Sequence, residues 1–446
     1  MITRTTRYTP GLVCVAIAAS AVCGRVNAEV DVDYAIEAGG AHTNNINRDV
    51  EDGLDETAAI VGLDLDLTAD TRRINSTIAL DIEQRIYTKD TNEDETLGSF
   101  TGSIDFTLVE NFLDWQVQDT FGQVLNDVFA PDNPQNREDV NVFTTGPVMS
   151  LGLGANNQVS LSALYRDVSF EDSPQNNDGV TGRLSLIRNI SRNRNLAINI
   201  TNGTVNFDRE IDTDFDRRSA TVAFSSQTSR SSLSVEVGRN EIVFDTDRED
   251  RSGTEINVAF QRELSSRVRL SANYVQQLSD SAQLFQQFLA DRNIGNVVGD
   301  GVGNPATDQN ALADPLEQRS GGVTLNFDQR NGSIFTSVRV FDFDFEESDL
   351  QDRDGYQVTV GANRNFSSGW RVGLSGSLNT NQFVSGRDDD NLQVRLTVSK
   401  QLTRTLSVAS SIAHIERDSN TGGQSFDEDV VRLTLIWQPT STRGSQ

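Results

Sequence analysis

The sequence predicts an all-β chain: a single transmembrane antiparallel up-and-down β-barrel of about 20 strands (18–20). Three observations carry that prediction. Apolar and polar residues alternate with a period of two from Val32 to Trp437, short basic turns alternate with longer acidic connections, and the N-terminus is of secretory type. A β-strand sends successive side chains to opposite faces, so each segment presents one apolar and one polar face. A water-facing sheet over a soluble core would share the alternation, but the export signal and the turn asymmetry favour a barrel with lipid outside and water inside.

Residues 1–28 read as a signal peptide. Arg4 and Arg7 supply the positive start, Gly11 to Gly24 is an apolar run too short to span a bilayer comfortably, and Val26-Asn27-Ala28 places small residues before cleavage. Both cysteines, Cys14 and Cys23, fall in this segment, so the exported chain is expected to have no disulfide or thiol chemistry. The remainder divides into a barrel over 29–438 and a short tail over 439–446. Formal charge is −27, and cleavage makes it −30, since Arg4, Arg7 and Arg25 leave without any acid. Apolar residues make up only 36%, low for a dry core but suited to a barrel with a wet interior. So acidic a surface excludes nucleic acid as a partner.

In 57–70, Ala59, Val61, Leu63, Leu65 and Leu67 oppose Gly62, Asp64, Asp66 and Thr68; in 74–88, Ile78, Leu80, Ile82 and Ile86 oppose Asp81, Glu83 and Arg85. The apolar rows continue through Phe100, Ile104, Phe106 and Leu108, then Val323, Leu325 and Phe327, and Trp370, Val372 and Leu374. Their alternates are the expected lumen lining: Asp64, Asp66, Asp81, Glu83, Arg85, Asp105, Arg183, Glu236, Glu255, Arg269, Asp328, Arg371, Arg395 and Arg432. Over 333–346 the parity slips, because Val338 and Val340 share one face and Phe341, Phe343 and Phe345 take the other. A bulge near Val340 would return the phenylalanines to the apolar face.

Nine short connections recur, at 69–73, 110–112, 154–158, 191–195, 227–231, 264–267, 329–332, 367–369 and 402–405. Acids crowd the others, as in Asp245 to Asp250 and Asp388 to Asp390. Outer-membrane barrels keep short turns periplasmic and long loops external, which orients the chain. Loop 279–319 is the longest. Its segment 281–290 pairs Leu284 with Phe288 and Phe285 with Leu289 at helical spacing, making these four the candidates for a constriction. The last strand, 430–437, alternates Val431, Leu433, Leu435 and Trp437, resembling the closing signal read by barrel-assembly machinery, although Gln438 to Gln446 follow it.

The opening Gly39 to Asp49, and within it Thr43-Asn44-Asn45-Ile46, resembles the strand and Asn-rich loop that begin the β-barrel porin type-2 proteins, including those associated with exopolysaccharide and exosortase systems. That resemblance implies an outer-membrane barrel of a Gram-negative bacterium, with a porin or envelope role and no catalytic residues to carry over.

Enzyme chemistry is scarce. His42 and His414 are the only histidines, and His414 with Ser410 or Ser411 is the one hydrolase-like arrangement, against the plainer reading of a strand histidine touching water. No zinc spacing or phosphate-cradling loop occurs, so no cofactor and no resident metal are expected. Three functions therefore compete: a porin-like conduit for small hydrophilic solutes, mildly cation-preferring; a structural or assembly protein of surface exopolysaccharide export; and, last, an outer-membrane hydrolase. The partners expected are outer-membrane lipid, polysaccharide or small solutes, and divalent cations at the acidic loops.

Overall fold

The computed structural model describes residues 29–50, 53–89, 91–171, 175–208, 214–246, 248–280, 282–286, 307–310, 315–346 and 349–439. The wall begins with β1 (Glu29–Thr43), β2 (Glu56–Asp70), β3 (Ile74–Tyr87), β4 (Glu95–Val109), β5 (Leu113–Leu125), β6 (Arg137–Gly152) and β7 (Asn157–Phe170). It continues with β8 (Asn177–Ser191), β9 (Arg194–Phe207), β10 (Phe215–Gln227), β11 (Ser231–Phe244), β12 (Arg251–Ser265) and β13 (Val268–Asp280). A short β14 (Thr307–Asn310) precedes β15 (Pro315–Gln329), β16 (Gly332–Phe345), β17 (Arg353–Asn365), β18 (Trp370–Phe383), β19 (Asp388–Gln401), β20 (Leu406–Ser419) and β21 (Phe426–Trp437).

Each wall strand pairs antiparallel with its neighbour, and β1 closes on β21 from Ile36 opposite Trp437 to Thr43 opposite Val430. With β14 set aside, twenty strands form one closed barrel. The nine short connections lie at one end and the longer ones at the other. Closure matters because an open edge would leave backbone groups unpaired in a medium without water. Among the described residues no helix is long and apolar enough to cross a membrane.

Side-chain parity sorts as the alternation predicts. Val61, Leu63, Leu184, Leu186, Val323, Leu374, Leu396, Leu433 and Leu435 all point outward, between 37% and 58% exposed. A soluble protein would bury such a set; here it forms the lipid-facing surface. Trp115, Trp370 and Trp437 sit near the short-turn end, whereas Tyr356 lies towards the long loops on the same outer face. Tyr356 pairs with Thr380, ten residues along β18 from Trp370. At roughly 3.3 Å per residue and a tilt of about 40°, that is a band about 25 Å tall, the height of an outer-membrane hydrocarbon layer. In the middle of β5, Asp119 breaks the pattern, sharing the outward parity of Val117 and Phe121.

The predicted bulge near Val340 is absent. The register between β15 and β16 runs unbroken from Leu316 opposite Phe345 to Gln329 opposite Gly332. Val338 and Val340 stay outward, and Phe343 and Phe345 turn inward, where they pack with Leu316 and Leu284 while Phe341 lies alongside. The parity switch reflects an apolar target inside the barrel, not an extra residue in the strand.

Candidate functional site: the barrel interior and its mouth

The inward face begins with acids. Asp33 stands opposite Asp66, and Asp64 opposite Asp81, on three consecutive strands. Asp31 and Glu37 on β1, Asp105 on β4 and Asp114 on β5 extend this wall; Arg269 on β13 and Asp328 on β15 face inward from the far side, and Arg371 on β18 and Arg395 on β19 from about a quarter-turn away. Arg183 reaches Glu236 at 3.5 Å, and Glu236 also accepts from Asn199 at 2.9 Å and from Thr221. Glu255 lies on the same inward face of β12.

Glu83, Arg85 and Arg432 face inward too, but they do not line open water. Arg432 donates to Glu83 at 2.6 Å and to Glu37, and is only 2% exposed. Arg85 donates to Glu83 at 2.6 Å and pairs with Glu95 at 3.5 Å; Arg137 bridges Glu95 at 3.0 Å and Asp132 at 2.7 Å; Arg48 joins Asp132 at 3.6 Å and Glu428 at 2.9 Å. This chain of alternating charges starts on the last strand, takes partners from β1, β3, β4 and β6, passes through the β1–β2 and β5–β6 loops and returns to β21. Burial makes each partner depend on the next, since an uncompensated ion in low dielectric is costly.

Asp132 belongs to the connection between β5 and β6, which the sequence presents as one more external loop. It folds into the mouth instead. Asn133 caps a 3-10 turn over Pro134–Asn136, accepting from the amides of Gln135 and Asn136. Across the mouth, Arg387 donates to the Phe129 carbonyl at 2.7 Å, Arg417 to that of Ala130 at 3.4 Å, and the Phe129 and Phe383 rings lie 5.1 Å apart. Two of its arginine partners, Arg387 and Arg417, are 258 and 287 residues away, beyond the reach of any local pattern.

The Asn-rich opening has a physical role here. Thr43 donates to Glu428 at 2.7 Å, Asn45 to the Asp427 carbonyl at 2.9 Å, and the Asp429 amide donates to Asn44 at 2.7 Å. The first loop is thereby stitched to the last hairpin at the point of closure.

From the opposite side comes the longest connection. Residues 282–286 form a single helical turn, with Leu284 and Phe285 both buried; Phe288 and Leu289 lie outside the described residues. Phe285 and Ala282 pack on Val124, Val140, Val142, Val168 and Phe170, whereas Leu284 packs on Leu316, Phe343 and Phe345. A round barrel of twenty strands would be roughly 40 Å across at a spacing of about 4.8 Å and a tilt of about 40°. One helical turn touches two nearly opposite walls only because the tips of β5–β6 and of β13–β15 lean inward. β14 joins them directly, pairing in parallel with Val124 and Leu125 of β5.

The hydrolase-like arrangement does not assemble. His414 contacts Asp429 at 2.8 Å on the outward face, and Ser411 turns to the opposite face. Among the described residues no group of three His, Cys, Asp or Glu side chains could hold a metal ion.

Fold, lipid-facing band and charged interior define the class: a membrane-spanning antiparallel β-barrel. Residues 306–439, which contain the last seven wall strands, match the family described as "Putative beta-barrel porin 2", so the resemblance read at the start of the chain is met by sequence in its final third. No curated protein matches the chain in sequence. Among solved structures, OccAB4 of Acinetobacter baumannii is similar at 8% identity and a TM-score of 0.36, covering 92% of this chain and 98% of that one. OccAB3 of the same organism stands at 7% and 0.42, covering 92% and 99%, and OccK8 (OprE) of Pseudomonas aeruginosa at 9% and 0.35, covering 93% and 98%.

Proposed function

We propose that this barrel is an outer-membrane conduit for small hydrophilic solutes with a mild preference for cations. The observation that carries the proposal is the asymmetry of the inward face. Asp31, Asp33, Asp64, Asp66 and Asp81 line one wall, Arg269 on β13 lies nearly opposite, and Arg371 and Arg395 on β18 and β19 lie about a quarter-turn away. Opposed charges set a transverse field across the lumen, which orders dipolar solutes, and the excess of acids draws cations. The nine short turns would face the periplasm and the acidic loops the exterior. A second reading, a scaffold tied to surface exopolysaccharide, draws support from the ion-paired mouth, since a barrel filled by side chains need not conduct.

Reversal potentials across a planar bilayer under a salt gradient test the conduit. The chain from Glu29 onward should prefer cations, and D33N/D64N/D66N/D81N should lower that preference without loss of the folded barrel. Unchanged selectivity in the quadruple variant would detach selectivity from the acidic wall.

A further inference from the structure

Between β12 and β13 the wall stops being stitched below the rim. Their pairing ends at Ile256 opposite Gln276, so Arg251–Glu255 of β12 have no partner on β13, while β13 stays paired with β15 up to Asp280 opposite Pro315. The freed end of β13 passes inside its neighbours. Leu278 packs on Val205, Phe215, Ile242 and Phe244, from the inward faces of β9, β10 and β11, and its carbonyl accepts from Asn240 at 3.2 Å. Above it, Arg251 reaches over to Glu346 at 2.8 Å, joining the rim of β12 directly to that of β16.

One side chain fastens this end from within. Asp280 accepts from Arg166 of β7 at 3.0 Å and from Arg217 of β10 at 2.6 Å, and its other oxygen accepts the Gln283 amide at 2.8 Å, opening the helical turn. Arg217 also donates to Gln283. The β5–β6 loop, by contrast, is held by both flanking strands and by three arginines from other elements, Arg48, Arg387 and Arg417.

We infer that the upper ends of β13 and β15 are a hinged leaf of the mouth, that Asp280 is its catch, and that β12 is the jamb it leaves when it opens. The inference rests on the conduit reading for its purpose, not for its geometry. On its β12 edge the leaf is held by side chains alone, so it leaves that edge without breaking a backbone ladder there; the short parallel pairing of β14 with β5 is the one ladder that ties the connection between its strands to the far wall. With Asp280 clamped, the leaf brings Leu284 against Leu316 and Phe285 against the β5–β7 wall, closing the mouth from that side.

A Cβ placed on Gly253 would stand 3.3 Å from Leu278 Cγ, so the G253C/L278C pair is within reach of a disulfide, and the exported chain has no other cysteine. Two readouts are taken on refolded, heat-modifiable barrel: the rate of disulfide formation and the single-channel current. The leaf predicts rapid cross-linking in the otherwise native chain and severalfold slower cross-linking when D280A is added. It also predicts that D280A alone raises the current, and that oxidising G253C/L278C/D280A returns it to the native level. Equal cross-linking rates with and without Asp280 would overturn the leaf, whatever the current. Slower cross-linking with D280A but silence in every form would keep the leaf and overturn the conduit.

Discussion

At the scale of single residues, the interior is governed by how charges are paired. Arg432 serves two carboxylates on strands from both ends of the chain, and removing it leaves Glu37 and Glu83 facing each other in a buried site. R432A should cost about 3–5 kcal/mol in denaturant unfolding, whereas an apolar replacement of all three groups should cost far less, because no ion is then left unpaired. Glu346, just beyond β16, tests the same physics through pH. Burial raises its pKa above the ordinary 4.5, outweighing the pull of Arg251 and Arg248 in the other direction. The folded chain therefore binds this proton more tightly than the unfolded one. Its contribution to stability is fully present below pH 4.5 and is lost as pH rises through the raised value. Unfolding midpoints measured against pH should show that decline, and E346Q should flatten it.

At the scale of elements, strands were legible and the loops that fold inward were not. Alternation identified the outward rows because lipid imposes one rule on every strand, and the short basic turns fell where their polar residues placed them. Leu284 and Phe285 were legible as a sticky turn, since helical spacing is local, but their opposite targets on β15–β16 and β5–β7 were not. Phe341 to Phe345 follow the same logic: an apolar row in a strand reads as lipid-facing, and here it meets an apolar cluster inside the barrel. The β5–β6 loop was missed because its anchors, Arg48, Arg387 and Arg417, lie far along the chain. Their function is written in closure, which local pattern does not record. F285A should remove a buried aromatic from the Val124–Val168 cluster at a cost of about 3–5 kcal/mol and increase the current through the mouth. An unchanged current in a destabilised but folded F285A barrel would show that this ring packs without restricting flow.

At the scale of the whole molecule, one principle explains both surfaces. Outside, an apolar band about 25 Å tall lies between tryptophans and a tyrosine because hydrocarbon tolerates nothing else. Inside, acids and arginines accumulate because water, or each other, is their neighbour. The mouth is where the two regimes meet: apolar side chains from two inward-leaning tips pack together, and ion pairs fix them to the wall. Single-channel conductance of the chain from Glu29, beside a form in which residues 281–314 are replaced by an Asn-Gly turn joining Asp280 to Pro315, tests this account most directly. It predicts a small, cation-preferring current in the intact chain and a markedly larger one in the shortened form. Two folded, heat-modifiable barrels that both remain silent would contradict it.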